Sequence, residues 1–188
     1  MPMEMDTSLL DRAILFAVRC HSGMERRGKG FPYIVHPMEA MAIAATMTSD
    51  QEVLAAAALH DVVEDTDMPL DDLRAQFGER IATLVDTESD RFEAGMDWRA
   101  RKEESLKRLK AASRDEKIVA LGDKLSNMRA IARDYTSKGE VFWDLFRIKD
   151  KSVHAWRYHA LLDALSDLSD TYAYQEFEFL VNRIFPNA

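Results

Sequence analysis

The stretch VLAAAALHDVVEDT, residues 53–66, limits the possible folds more than any other part of the chain. Its first half is an apolar helix ready to be buried, and its second half sets His60 beside Asp61 and Glu64 beside Asp65. On one continuous helix, at about 100° per residue, these four groups project at about 0°, 100°, 40° and 140°, all within one sector. Burying that sector uncompensated would cost several kcal/mol per charge, so it must face solvent or meet a cation. A histidine and an aspartate side by side at the edge of a core suit a divalent metal. The plain alternative is an exposed acidic helix end. That reading is weakened because helix C-termini disfavour carboxylates and three crowd into this one.

Elsewhere the chain is punctuated as helices. Ser8 with Asp11 reads as a capping box opening a helix to about His21, with Gly23 as its stop. Pro37 is expected at the first position of a helix over MEAMAIAATM, and Ser49 with Glu52 is expected to cap the helix containing His60. LDDLRAQF follows Pro69 and ends at Gly78, ERIATLV comes next, and a charged helix is expected from Trp98 to about Ala112. Ser113 with Glu116 repeats the capping box before KIVALGDKLSNMRAIARDY, and 141–184 reads as two or three further helices. Alternating β-branched strands are scarce. The expected fold is therefore all-α, a compact single-domain bundle of roughly eight to ten helices over 1–188, with a long loop at 88–97.

Charge and cysteine content narrow the function. The net charge of −8 is the wrong sign for a binder of long nucleic acid, whose affinity comes mainly from phosphate neutralisation. Two basic islands remain, ERRGK at 25–29 and WRARK at 98–102 running on to Lys107, Arg108 and Lys110. They suit a small anionic ligand or, equally plainly, a solvated face. Cys20 is the one cysteine, which rules out an intrachain disulfide and a cysteine metal cluster and points to a reduced, cytoplasmic setting. No apolar run approaches the ~20 residues of a membrane span, and the acidic start MPMEMDTSLL is unlike a signal peptide.

Two more segments could complete a site. In IVALGDKLSNMR an apolar face has Asp123 and Asn127 one turn apart beside it, and Gly122 permits close approach of a backbone or ligand. In FPYIVHP the residue His36 precedes Pro37, which biases it away from helix and onto a rigid corner. Singly, a histidine so placed is more often structural than a ligand. The case for it is joint.

Taken in order, HSGMERRGKGFPYIVHP (21–37), LHDVVEDT (59–66) and GDKLSNMR (122–129) resemble the HD-superfamily metal-dependent phosphohydrolases. Within that superfamily they resemble the hydrolase domain of RelA/SpoT-type enzymes and the free-standing small alarmone hydrolases. The likeness spans roughly residues 8–135; the tail, including AWRYHALLDAL, is similar less specifically. The resemblance implies that His36, His60, Asp61 and Asp123 ligate one divalent ion, with Mn²⁺ expected and another divalent ion possible. It further implies that Glu64 and Asp65 activate or orient the attacking water and that Arg26 packs on the nucleotide base. Asn127 would contact the substrate near the ribose, and Arg27 and Lys29 would meet phosphates.

The implied reaction is cleavage of the 3′-diphosphate of (p)ppGpp to a nucleoside di- or triphosphate and pyrophosphate. Departures from the family pattern bear on which nucleotide is accepted. Met24 stands where glutamine is frequent, Arg27 and Arg91 stand where lysine is commoner, and Ala130 stands where threonine often follows NMR. Two alternatives accompany this reading: an HD phosphohydrolase acting on another nucleotide or on NADPH, and a non-catalytic alarmone-binding module. A degraded binder should have lost part of the set His36, His60, Asp61, Glu64, Asp65 and Asp123, and all six are present. The length is expected to leave no room for a synthetase or regulatory domain after the hydrolase unit. The aromatics Trp143, Trp156 and Tyr158 and those of YAYQEFEFLVNRIF are expected to be packing residues, and His154 and His159 structural.

Overall fold

The computed structural model describes residues 5–88 and 97–186. Along the chain run α1 (Ser8–Cys20), α2 (Val35–Ala44), α3 (Gln51–Leu59), the single turn α4 (Val62–Asp65), α5 (Leu70–Phe77) and α6 (Glu79–Glu88). Then follow α7 (Trp98–Ala111), α8 (Arg114–Lys138), α9 (Lys151–Ala164) and α10 (Tyr172–Ile184), with 3-10 segments at Gly139–Leu145 and Ser166–Leu168. Among the described residues there is no strand, only an isolated bridge between Glu25 and Pro32. The all-α expectation therefore holds. The loop expected over 88–97, Arg91 included, lies outside the described residues apart from its two ends, Glu88 closing α6 and Asp97 capping α7.

The apolar run forms the centre of the bundle. Every residue from Val53 to Leu59 is buried, and α3 packs against α1, α2, α6 and α8. Removing Val53, Leu54 and Leu59 from water contributes roughly 1.5–3 kcal/mol each. Alanines fill the remaining circumference, so four helices can approach α3 at once. The long helix α8 lies across α2, and Gly122 makes their close approach possible. A Cβ at that position would stand 2.6 Å from the Ala40 carbonyl oxygen. Of the two partners expected for Gly122, a backbone or a ligand, the one found beside it is a backbone.

Several helix starts differ from expectation. The cap of α3 is Asp50, whose carboxylate accepts from the Glu52 N–H at 2.9 Å; Ser49 lies one residue too early. At α1 the N-cap is Thr7, and the first free N–H, on Ser8, donates to Asp6 at 2.9 Å. Helix α2 starts at Val35, so His36 and Pro37 both lie inside its first turn. Proline is tolerated there because first-turn N–H groups have no intrahelical acceptor. The Ser113–Glu116 capping box of α8 forms as expected, with the Ser113 N–H donating to Glu116 at 2.7 Å and the Glu116 N–H donating to Ser113 Oγ at 3.3 Å.

The helix through the HD dipeptide is not continuous either. Helix α3 ends at Leu59, His60 and Asp61 keep right-handed backbone angles, and hydrogen bonding restarts at Val62. Glu64 and Asp65 thus belong to a separate single turn that ends at Asp65, so the helix-end penalty expected of one long helix does not apply to them.

The C-terminal third closes over α8. Helix α10 packs on α8 and α9, and α9 packs on α7. Phe142, Trp143, Phe146, His154 and Phe185 make an aromatic cluster in which His154 stacks on Trp143 at 5.1 Å and its Nε2 lies 2.8 Å from the Ile148 carbonyl. His159 Nε2 lies 3.0 Å from the Phe185 carbonyl. Both histidines are structural, as expected. Trp156 is half-buried under the Arg99 guanidinium, and two aromatics of the last helix, Tyr172 and Phe179, are exposed instead of packed. Among the described residues no helix is long and apolar enough to cross a membrane.

Candidate metal centre and substrate cleft

The fold brings His36 from the first turn of α2, His60 and Asp61 from the α3–α4 junction, and Asp123 from α8 to one point. His36 Nε2 lies 3.1 Å from Asp123 Oδ1 and 3.4 Å from Asp61 Oδ2. His60 Nε2 lies 3.1 Å from Asp61 Oδ2 and 3.6 Å from Asp123 Oδ1, and the two Nε2 atoms are 3.3 Å apart. An ion with bonds of ~2.1 Å holds neighbouring ligands ~3.0 Å apart in an octahedron and ~3.4 Å apart in a tetrahedron. The spacings among His36, His60 and Asp61, 3.1–3.4 Å, match that range, and Asp123 Oδ1 stands 3.1 Å from His36 and 3.6 Å from His60. Two imidazoles and two carboxylates also carry the charge that neutralises a divalent ion. His36, His60 and Asp61 form the tight trio able to hold one, and Asp123 adds a fourth donor.

The surroundings fix these groups. His60 is only 2% exposed, and its Nδ1 lies 2.8 Å from the Ala57 carbonyl, an acceptor that can receive only a proton. Nε2 is thereby left to face the centre, an arrangement typical of metal-bound histidines. His36 Nδ1 lies 2.8 Å from Ser126 Oγ, and the Tyr33 hydroxyl donates to Asp61 Oδ2 at 2.7 Å. Burial, reinforced by Asp61 and Asp65, keeps the Tyr33 phenol protonated far above its usual range.

The electrostatics favour a cation. Burial opposes charge on His60, yet Asp61 and Asp123 outweigh it and push its pKa well above the usual imidazole range. Burial likewise opposes charge on the two aspartates, but His60 and His36, joined at Asp123 by Lys124, hold both well below the usual carboxylate range. Carboxylates that favour a proton on a buried imidazole also favour a divalent ion in its place, with release of that proton.

Over this centre lies a cleft with two lobes. The smaller, about 230 Å³, is lined by the four donors together with Glu64, Asp65 and, from α7, Lys102 and Ser105. The larger, about 650 Å³, carries Arg26, Arg27 and Lys29 on one side and Phe142, Phe146 and Arg147 on another. Tyr33, Asp123, Asn127 and Arg157 border both. Arg26 donates to Asn127 Oδ1 at 2.6 Å and lies over the Tyr33 ring at 5.0 Å, so these two expected substrate residues meet each other. Arg27 is exposed, whereas Lys29 is ion-paired with Asp134. Of the second basic island only Lys102 lines the cleft; Lys110 instead pairs with Asp163.

Three contributors escaped the sequence reading. Tyr33 lay within FPYIVHP without a role, although a phenol three residues before a ligand histidine can reach the same centre. Lys102 was indistinguishable from its charged neighbours on α7. Arg157 lies in the tail; it is half-buried, and no carboxylate among the described residues pairs with it.

The HD-domain family model matches residues 13–145. The chain is 35% identical over 166 residues to a probable guanosine-3′,5′-bis(diphosphate) 3′-pyrophosphohydrolase of Synechocystis sp., covering 84% of this chain and 22% of that protein. It is 38% identical over 135 residues to a GTP pyrophosphokinase of Streptomyces coelicolor, covering 68% and 16%. The chain thus spans about a fifth of the length of these curated relatives. A solved structure described as a metazoan ortholog of SpoT that hydrolyses ppGpp superposes with a TM-score of 0.74 at 23% identity, covering 97% of each chain, which shows a shared fold.

Proposed function

The chain belongs to the HD-domain family, and from that premise we propose that it is a Mn²⁺-dependent hydrolase removing pyrophosphate from the 3′ position of (p)ppGpp. The observation that carries this reading is the convergence of four donor atoms from three segments beneath a cleft edged by cations. The names of the two relatives point in different directions, toward hydrolysis and toward synthesis. The chemistry of the centre favours hydrolysis, because proton-accepting carboxylates stand beside a place for a cation.

In this reading His36, His60, Asp61 and Asp123 hold the ion. When bound, a divalent cation lowers the pKa of a water and neutralises phosphoryl oxygens that would repel a nucleophile. Tyr33 keeps Asp61 oriented through its hydrogen bond. Glu64 or Asp65, at the open side of the smaller lobe, accepts the proton of the attacking water. Attack at the phosphorus joined to the 3′-oxygen breaks one P–O bond, so one water enters and pyrophosphate and a free 3′-hydroxyl leave. The Arg26 guanidinium, held flat by Asn127 and Tyr33, offers a stacking surface to a purine. Arg27, Lys29 and Lys102 meet phosphate charge. The expected partner is a small anionic nucleotide.

A second reading, hydrolysis of a bulkier phosphate ester such as NADPH, is favoured by the size of the larger lobe, whose wall includes the small Ala130. The test is pyrophosphate release from ppGpp with Mn²⁺, after chelation and after re-addition, beside Asp61→Ala and a panel of dNMPs and NADPH. Chelation should abolish turnover reversibly, and Asp61→Ala should lose about 10³-fold or more, about 4 kcal/mol of barrier. Rapid turnover of a dNMP or NADPH with ppGpp untouched would overturn the ppGpp reading.

A further inference from the structure

A chain of hydrogen bonds runs from His36 to the C-terminal helix. Beyond its 2.8 Å contact with His36 Nδ1, Ser126 donates its hydroxyl to Glu39 Oε2 at 2.7 Å. Arg129 donates to Glu39 Oε1 at 3.1 Å and, through Nε and Nη2, to the Glu176 carboxylate at 2.7 Å each. The members stand on α2, α8 and α10, the last lying past the end of the family match at residue 145.

The donor order can be read from one end. A carboxylate only accepts, so the single hydroxyl proton of Ser126 goes to Glu39 and its oxygen is left to accept. The proton on His36 must then sit on Nδ1, which turns the lone pair of Nε2 toward the centre. Ser126 can reach between His36 and Glu39 because Gly122, one turn earlier on α8, lets α2 come close. At 2% exposure Ser126 is shut off from bulk solvent.

We propose that Ser126 and Glu39 are positioning residues that set how tightly the centre holds its ion, with Arg129 and Glu176 fixing Glu39 from the C-terminal helix. The inference rests on the metal-centre reading above. Without the Ser126 hydroxyl, His36 is free to rotate or to move its proton to Nε2, the form that cannot ligate. Outer partners of metal-bound histidines act in this way, and their loss weakens metal affinity by about 10–100-fold.

The test is Mn²⁺ affinity of the full chain by titration calorimetry, with the thermal midpoint of the metal-free protein measured alongside. Ser126→Ala should weaken Mn²⁺ binding by about 10–100-fold with the midpoint little changed. Glu39→Gln should weaken it less, since the amide oxygen still accepts, and Glu176→Gln least. A purely structural role would move the midpoint and not the affinity. Should Ser126→Ala fail to fold, Glu39→Gln at its half-exposed position carries the test alone. Affinity unchanged in both variants while His60→Ala abolishes binding would overturn the proposal and leave the metal centre standing. Undiminished binding in His60→Ala would remove the metal reading, and the proposal with it.

Discussion

The two walls of the cleft are built in opposite ways. On the wall that carries the candidate metal donors, His36, His60 and Asp123 are at most 7% exposed, are carried by packed helices, and have their outer polar atoms engaged. Elsewhere around the cleft, Arg27, Lys102 and Arg157 are long side chains, half-buried or exposed, reaching in from separate parts of the chain, and only Arg26 is held, by Asn127 and Tyr33. An ion demands donors fixed to a few tenths of an ångström, which only close helix packing supplies. A substrate whose charge is spread over several phosphates is better met by arms that can adjust. Rigidity and adaptability are thus divided between the walls.

If that division is real, damage to the two walls should differ in kind. Among variants that leave the candidate donors in place, the largest effect is expected from Gly122→Ala. The new methyl would overlap the Ala40 backbone, forcing α2 and α8 apart at a cost of about 1–3 kcal/mol in denaturant unfolding. Mn²⁺ affinity should fall with it, because Ser126 withdraws from His36. Arg26→Ala comes next: KM for ppGpp should rise about tenfold, about 1.4 kcal/mol, with a much smaller change in Mn²⁺ affinity, because Arg26 reaches Asp123 only through Asn127, and stability within about 0.5 kcal/mol. A loss of Mn²⁺ affinity as large as the rise in KM in that variant would show that the walls are not independent. Arg157→Ala should give the smallest effect, a few-fold rise in KM that shrinks as salt is added, since a half-exposed charge is screened. An unchanged KM at low salt would take Arg157 out of the cleft's function.

The same division explains what could be read from residues alone. The convergence of the candidate donors was legible because they sit in short motifs and their burial follows from helix packing, as with the apolar run before His60 and the Ser113–Glu116 capping box. Local detail was less secure. Ser49 and Asp50 are both good caps, and only the entry angle of the chain selects Asp50. The proline after His36 suggested a corner outside the helix, whereas a first turn tolerates it. The interruption between Leu59 and Val62 left no trace in periodicity, because His60 and Asp61 keep helical angles. The facing wall was largely illegible: Lys102 and Arg157 look like any surface cation until α7 and α9 are folded over the site. Phe142 and Phe146 carried no sequence signal of a role, and they both pack on the core and line the larger lobe.

The placement of the four donors has a consequence for the chain as a whole. They are drawn from α2, the α3–α4 junction and α8, so an occupied centre would act as a reversible rivet joining distant stretches of polypeptide. By mass action, free ion at a hundred times its dissociation constant would add about 2.7 kcal/mol to the resistance against unfolding. The lifetime of the folded chain would then follow the supply of ion around it, and scarcity would silence the centre and loosen the bundle at the same time.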